Sequence, residues 1–231
     1  MQRRLHVDLE FRRRVAKKKP LITDRQKKKR LKYAKVKIKW TKEKWRRVLF
    51  SDEAMFRVTG NRATHVYRRP GPGDPNDPKY TCATIKQPDR LMVWGSFGYH
   101  GPGELRVLPR NERMNKEKYL VLISDHLMDC FVKCRIPLRN GICQQDGATC
   151  HTAKIIGEYL DFVNVDYINE RPGNSPDSNP IEHIWAQMKH QLRGRDTSSL
   201  PKLEAEIRDI WANLDPDYLK TLVDSVPDRL Q

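Results

Sequence analysis

Three acidic residues occupy positions from which their carboxylates could share one site. Asp52 lies within an apolar run that predicts a β-strand, Asp146 ends a second, short strand, and Glu182 begins a helix. In a mixed sheet, the carboxyl end of a strand and the start of a neighbouring helix can meet at one point. Clustered carboxylates suit hard cations such as Mg²⁺, and two such ions can promote phosphodiester cleavage without a protein nucleophile. Asp52, Asp146 and Glu182 are therefore candidate catalytic residues and metal ligands.

Each acid also has an ordinary structural interpretation. Asp52 could belong to a turn, although its apolar flanks favour a strand interior, where aspartate is uncommon. Asp146 is followed by Gly147 and could simply begin a turn, and spacing alone does not separate the two roles. Glu182 lies three residues after Asn179, the expected N-cap of its helix, and could serve only as a capping-box acid. The residue types alone leave these alternatives open.

Neighbouring polar residues are expected to play other parts. Strand alternation should turn Glu53 to the face opposite Asp52, where we expect it to be solvated. His151 and His183 are expected to be hydrogen-bonding or packing residues rather than ligands. The proposed chemistry therefore depends on the three acids.

The composition is that of an ordinary globular protein. Its 231 residues, 38% of them hydrophobic, are enough for one sizeable domain, or for one domain with an appendage. No uncharged apolar run approaches the roughly 20 residues that cross a bilayer, and no apolar segment follows the N-terminal arginines as it would in a signal peptide. Membrane insertion and secretion are therefore not expected.

The five cysteines form an irregular set without a paired Cys-x-x-Cys element. We interpret them as reduced thiols of an intracellular protein. Cys130 and Cys134 lie one helical turn apart, which is more typical of packed small residues than of a metal site. No metal ligand is therefore assigned to the cysteines.

The positive charge is concentrated at one end of the chain. The net charge is +16, and residues 1–47 carry 21 of the 45 Lys and Arg residues against 4 of the 29 Asp and Glu residues, or +17, which leaves −1 for residues 48–231. Such a segment favours a polyanionic partner, because each cation placed on a phosphate releases counterions. A solvated basic tail or a localisation signal is the alternative. With either interpretation we expect a nuclear protein.

Apolar periodicity and turn residues divide the rest of the chain into alternating elements. The predicted strands cover residues 48–58, 65–67, 91–98, 105–108, 141–146 and 165–168. The predicted helices cover about 31–40, 115–131, 152–162, 179–194, 201–214 and 216–225. Residues 70–78 predict a long loop, and residues 101–103 predict a turn. About three antiparallel strands, followed by alternating strands and helices, indicate an α/β fold with a mixed sheet flanked by helices.

Five motifs together resemble those of the Tc/mariner transposases. They are Phe-Ser-Asp-Glu at 50–53, Val-Trp-Gly-Ser-Phe at 93–97, Gln-Gln-Asp-Gly-Ala at 144–148, His-Thr-Ala at 151–153 and Ser-Pro-Asp-Ser-Asn-Pro-Ile-Glu-His-Ile-Trp at 175–185. The last motif is highly specific. The order and spacing of the motifs agree as well, and the resemblance extends from about Val15 to the end of the chain.

The resemblance implies a ribonuclease-H-like fold for residues 48–231, with residues 1–47 as a basic arm left from a helix-turn-helix region and linker. It implies that Asp52, Asp146 and Glu182 form the metal triad, binding two Mg²⁺ ions for which Mn²⁺ can substitute. The implied activity is cleavage of double-stranded DNA at transposon ends, followed by strand transfer into TA sites. It also implies a homodimer in which the loop at 70–78 reaches towards the partner subunit.

The sequence departs from the family pattern at three places. Between Asp146 and Glu182 lie 35 residues, one more than is commonest in the branch with glutamate, and we assign the extra residue to the loop at 171–174. Only the tail of the second of two helix-turn-helix modules is recognisable, in residues 2–21. In the family, a lysine usually precedes the histidine that here is His151, and this sequence has Cys150 at that position.

Two other functions remain compatible with parts of the sequence. A catalytically silent, transposon-derived DNA-binding protein would keep the basic arm and lack end recognition. A ribonuclease acting on RNA–DNA hybrids would share the fold, but the motif at 175–185 does not support it. Because all three acids are present, an active transposase core is the preferred hypothesis.

Overall fold

One mixed sheet forms the centre of the structure. The computed structural model describes residues 22–58, 88–110, 113–168, 172 and 175–230. The strands within these residues are β1 Val48–Arg57, β2 Arg90–Gly98, β3 Gly101–Val107, β4 Ile142–Gln144 and β5 Asp166–Tyr167. They lie in the order β3-β2-β1-β4-β5. The predicted α/β architecture with a mixed sheet is confirmed.

β1 occupies the middle of the sheet and joins its two halves. It is antiparallel to β2, with Asp52 opposite Gly95, and parallel to β4, with Phe50 beside Gln144. β3 extends the antiparallel half, and β5 extends the parallel half. β4 is shorter than predicted and ends at Gln144, so Asp146 lies just beyond the strand.

The turn between β2 and β3 differs from the prediction. Residues 101–103 belong to β3, and the turn is formed by Tyr99 and His100. Because β3 is an edge strand, its proline removes no ladder hydrogen bond from the sheet interior. A Cβ atom at Gly103 would lie 2.3 Å from Ser96 Oγ, so the close approach of the two strands requires glycine there.

Helices cover both faces of the sheet. Within the described residues they are α1 Asp24–Lys37, α2 Lys42–Trp45, α3 Lys116–Lys133, α4 Lys154–Phe162, α5 Ile181–Gln191, α6 Leu200–Ala212, α7 Pro216–Asp224 and α8 Val226–Arg229. Each predicted helix is present. The largest shift is in α1, which begins earlier than expected, behind a capping box at Thr23. α3 begins as predicted, since the Asn115 side chain accepts a hydrogen bond from Lys118 N at 2.9 Å.

The two faces of the sheet pack against different helices. We call the side of β1 that carries Phe50 and Phe56 the C-terminal face, because it packs against α5, α6 and α7. We call the side that carries Leu49 the α3/α4 face, because it packs against Tyr119 of α3 and Ile156 of α4. Each face thus has its own apolar core.

α1 and α2 pack against the rest of the structure. Tyr33 and Trp45 are buried in the core of the C-terminal face. Arg46 Nε and Nη2 each lie 3.0 Å from a carboxylate oxygen of Asp224 in α7. The predicted domain boundary at residues 47 and 48 stays a prediction, and the two helices before β1 share a core with the strands and helices that follow.

Several sequence predictions fall outside the described residues. They concern the strand at 65–67, the loop at 70–78, Cys82 and the insertion at 171–174, of which Pro172 alone is described. Every helix in the described part of the chain is too short or too polar to cross a membrane.

Candidate active site

Asp52 lies midway along β1 on the C-terminal face and is half-buried. Its Oδ1 accepts a hydrogen bond from the backbone N–H of Glu53 at 2.9 Å. Its Oδ2 lies 3.4 Å from the side-chain amide Nδ2 of Asn179, which donates to it. Asn179 lies two residues before the start of α5, so Asp52 reaches the region where the helix that carries Glu182 begins. The strand-interior position predicted for Asp52 is confirmed.

Asp146 lies where the chain leaves β4. The parallel register of β1 and β4, continued by two residues, brings Asp146 level with Asp52. Its Oδ1 accepts hydrogen bonds from Ala148 N at 2.9 Å and from His151 Nδ1 at 2.5 Å. Asp146 therefore begins a turn, as the ordinary interpretation predicted, and this turn places it beside the strand that carries Asp52.

Glu182 lies in the first turn of α5 and is half-buried. The prediction that Asn179 caps this helix is wrong, because the residue before α5 is Pro180 and no side chain caps the helix. Asn179 is fully buried, and its Oδ1 has no hydrogen-bond partner among the described residues. Its amide nitrogen is directed to Asp52 instead. The capping-box interpretation of Glu182 therefore does not hold.

The oxygen atoms around this part of the sheet suit a divalent cation. Carboxylate oxygens are hard ligands, and the buried Asn179 Oδ1 is an amide oxygen of the same kind. Within the described part of the chain, however, no three His, Cys, Asp or Glu side chains are grouped closely enough to hold a metal ion. A metal site shared by Asp52, Asp146 and Glu182 stays a prediction.

Glu53 faces the α3/α4 side, as strand alternation predicted, but the expectation that it is solvated is wrong. Its side chain is only 17% exposed, and its Oε1 lies 3.3 Å from His151 Nε2. This is an ion-pair distance without the alignment of a hydrogen bond. The physical reason for the error is that His151, from a distant turn, covers Glu53.

His151 is buried between two carboxylates. Burial lowers the pKa of His151, but the hydrogen bond to Asp146 and the charge of Glu53 outweigh burial and raise this pKa to about 10. The imidazole is therefore protonated near neutral pH, and both of its nitrogens carry a hydrogen towards a carboxylate. The prediction that His151 is a hydrogen-bonding residue is confirmed.

The cysteines of the described residues are free thiols with a packing role. Cys130, Cys134 and Cys143 are buried in the core of the α3/α4 face, and Cys150 is half-buried. Burial raises the pKa of Cys143 to about 12 and also raises that of Cys130 and Cys134. The predicted packing role of Cys130 and Cys134 is confirmed.

A groove of about 1040 Å³ opens beside Glu53 and His151. Its lining includes the four arginines Arg57, Arg90, Arg110 and Arg113. Asp89 also lines the groove and pairs with Arg110 at 2.5 Å. Since the described lining carries more positive than negative groups, the groove favours an anionic ligand.

Sequence analysis missed the two contacts that hold the acids. The first joins Asn179 to Asp52, and its signal was misassigned because an asparagine before a helix is usually a cap. The second joins His151 to Asp146 and Glu53. The sequence around a histidine in a turn does not indicate that its side chain contacts a strand about a hundred residues earlier in the chain.

A central strand with an antiparallel neighbour on one side and a parallel neighbour on the other is the arrangement of the ribonuclease-H-like fold. Residues 47–204 match the family model of the DDE superfamily endonucleases. The chain is 31% identical to the transposable element Tcb1 transposase of Caenorhabditis briggsae, over 99% of this chain and 82% of that protein. The chain therefore belongs to the DDE superfamily endonucleases, and it is the catalytic core of a Tc/mariner-type DNA transposase.

Solved structures share this fold. The Mos1 transposase paired-end complex with the left transposon end has a TM-score of 0.83 at 20% identity, covering 99% of this chain and 67% of that chain. The mariner Mos1 paired-end complex with Mg has a TM-score of 0.82 at 19% identity, with the same coverage of 99% and 67%. The predicted ribonuclease-H-like fold is confirmed.

Proposed function

We propose that Asp52, Asp146 and Glu182 bind two divalent ions, Mg²⁺ or Mn²⁺, and that the chain uses them to cut and join double-stranded DNA. The observation that carries the proposal is the contact between Asp52 and Asn179, because it joins the strand of the first acid to the start of the helix of the third. When bound, two such ions activate a water or a 3′-hydroxyl on one side of a phosphate and stabilise the leaving oxygen on the other.

The chain's own residues supply negative charge and hold it in place. Asp52 is fixed by the strand ladder and by the amide of Asn179. Asp146 is oriented by its hydrogen bonds with Ala148 N and His151. Glu182 lies in the first turn of α5, where the helix dipole favours an anion. Carboxylates that share one site repel one another, so a bound cation would stabilise the arrangement that the proposal requires.

Amide substitutions test this assignment. Asp52→Asn, Asp146→Asn and Glu182→Gln each preserve size and remove one negative charge. Each should lower Mg²⁺- or Mn²⁺-dependent nicking by more than about a hundredfold, because the loss of even an outer partner of a metal ligand costs about 10- to 100-fold. Nicking of plasmid DNA that carries the transposon ends, at matched folded concentration, is the measurement.

Asp129→Asn is the matched control, since Asp129 is exposed on α3. Glu53→Gln is unsuitable as a control, because Glu53 contacts His151. Equal residual nicking in every variant would contradict the assignment. Absence of nicking by the wild-type chain, supplied with its own transposon ends and a helix-turn-helix region, would favour a silent DNA-binding protein.

We also propose that DNA contacts α1 and the arginine-lined groove. Lys27, Lys28 and Lys29 are exposed on α1, and four arginines line the groove that Glu53 and His151 also line. Phosphate contacts of this kind give affinity that depends little on sequence and strongly on salt. The Mos1 transposase complex with a transposon end, which shares this fold, also supports the proposal that the chain contacts DNA.

Deleting residues 1–21 tests the part of the basic arm that precedes α1. This segment carries 8 Lys and Arg residues against 2 Asp and Glu residues. Its loss should weaken DNA binding. It should also reduce the steepness of the slope of log affinity against log salt concentration by about 0.9 for each phosphate contact removed. A deletion to residue 47 would also remove Tyr33 and Trp45 from the core. An unchanged salt slope, measured by fluorescence anisotropy, would show that residues 1–21 do not contact DNA.

We further propose transposon ends and TA dinucleotides as the DNA sites, a homodimer as the active form and the nucleus as the location. The family resemblance supports these proposals, and the basic residues 1–47 support the nuclear location. Sequencing of insertion sites, sedimentation with and without DNA, and microscopy of a tagged chain test them in turn. Insertions without TA, a monomer in both states, or cytoplasmic retention would contradict the corresponding proposal.

A further inference from the structure

Glu53 and His151 are not metal ligands under the proposed function, yet both are well buried beside Asp146. The Glu53 side chain is 17% exposed, and the His151 side chain is 3% exposed. Polar side chains buried to this degree cost free energy unless they are paired. The pairing of His151 with both Glu53 and Asp146 therefore indicates a defined role.

Contacts at both ring nitrogens and with an aromatic ring hold the imidazole of His151 in place. Nδ1 donates to Asp146 Oδ1 at 2.5 Å, and Nε2 lies 3.3 Å from Glu53 Oε1. The ring of Tyr119 packs against the imidazole, with a centroid distance of 4.0 Å. Gln145 Nε2 donates to the backbone carbonyl of His151 at 3.3 Å, and Gln145 Oε1 accepts from the Tyr119 hydroxyl. The ring cannot rotate without breaking contacts at both nitrogens.

From this geometry we infer that His151 is a positioning residue, which sets the orientation of the Asp146 carboxylate for metal binding, and that Glu53 anchors His151. The inference rests on the proposed function, since it requires Asp146 to be a metal ligand. Hydrogen-bond partners of metal-ligating carboxylates orient the ligand, and their loss costs about 10- to 100-fold in metal affinity.

The test measures Mn²⁺ binding to the purified chain without DNA, from the electron paramagnetic resonance signal of unbound Mn²⁺. His151→Ala should weaken Mn²⁺ binding by about 10- to 100-fold. His151→Asn should restore most of the loss, because its amide nitrogen takes the place of Nδ1 and can donate to Asp146. His151→Gln should not, because its amide takes the place of Nε2. Glu53→Gln should weaken binding less than His151→Ala.

Thermal unfolding of each variant separates positioning from packing. A merely structural histidine would lower the Tm, while the molecules that remain folded would bind Mn²⁺ normally. His100→Ala is the matched control, since His100 is exposed in the turn between β2 and β3, and it should bind Mn²⁺ like the wild type. Equal affinities of the His151→Asn and His151→Gln variants would overturn a role through Asp146.

Asp146→Asn distinguishes failure of this inference from failure of the proposed function. Normal Mn²⁺ binding by Asp146→Asn would refute the metal assignment itself, and the positioning role with it. Lost binding in Asp146→Asn together with normal binding in both His151→Ala and Glu53→Gln would refute the positioning role and leave the metal assignment intact.

Discussion

Asp52 and Glu53 are neighbours in the sequence, but they lie on two differently built faces of the same strand. On the C-terminal face, the rings of Trp185 and Trp211 stack with centroids 5.3 Å apart and pack over the sheet beside Asp52. On the α3/α4 face, Glu53 lies against His151 at the edge of an open groove. Two consecutive residues of one strand thus have different surroundings, Asp52 on a face packed by tryptophans and Glu53 beside an open groove.

The packing of the C-terminal face depends on a glycine in β2. Gly95 lies opposite Asp52 in the antiparallel pair of β1 and β2. A Cβ atom there would lie 2.6 Å from Trp185 Cη2 and 2.9 Å from Trp211 Cη2. Because Trp185 belongs to α5, glycine at this position allows α5, with Glu182 in its first turn, to lie close to the sheet.

Among these substitutions, Gly95→Ala should have the largest effect on stability and nicking, and this effect arises on the C-terminal face. The added methyl group overpacks the tryptophan pair, which should destabilise the fold by about 1–3 kcal/mol. It should also displace α5 and lower nicking beyond the loss of folded protein, since Glu182 moves with the helix. Thermal unfolding and nicking at matched folded concentration are the measurements.

Gly101→Ala is the control for Gly95→Ala, because a Cβ atom at Gly101 has no neighbour within 4 Å. It should leave stability and nicking close to those of the wild type. If Gly95→Ala behaved like Gly101→Ala, the tight seat of α5 on the sheet would not be needed to hold Glu182.

Tyr119→Phe should have a smaller effect, confined to the α3/α4 face. It removes the hydroxyl that donates to Gln145 Oε1 in a buried site, which should cost about 1 kcal/mol. The phenyl ring still packs against His151, so we expect the Mn²⁺ affinity of folded molecules to stay at the wild-type value. Thermal unfolding with Mn²⁺ titration is the measurement.

Tyr159→Phe is the comparison for Tyr119→Phe, since Tyr159 is only half-buried on α4. Its stability should change less than that of Tyr119→Phe. A large loss of Mn²⁺ affinity in Tyr119→Phe alone would show that the tyrosine hydroxyl takes part in positioning His151. The packing of the α3/α4 face would then affect metal binding directly.

The sequence predicted the elements well because their signals are local. The apolar run of β1, the N-cap at Asn115 and the periodic helices depend on neighbours within a few residues. The contact of Asn179 with Asp52 could not be predicted, because local rules assign Asn179 to a helix cap. The burial of Glu53 by His151 likewise depends on tertiary packing.

The proposed positions of Asp52, Asp146 and Glu182 followed from their places at the middle of a strand, the end of a strand and the start of a helix. What spacing does not give is the rotation of each side chain. His151 and Ala148 set that rotation for Asp146, and the amide of Asn179 constrains it for Asp52. The partners of the acids, rather than the acids themselves, are thus the part that needs a structure.

The strand order also has a consequence for synthesis of the chain on the ribosome. Among the described strands, β1, β2 and β3 are made first and pair as successive antiparallel neighbours. β4 and α5 emerge later, and α5 begins only at Ile181. At roughly 5–20 residues per second, β1 waits several seconds for its parallel neighbour and for the helix that covers its C-terminal face. A nascent chain that stops before Ile181 holds Asp52 and Asp146 but lacks Glu182. Translation products truncated before Ile181 therefore cannot assemble the three acids that the proposed metal site requires.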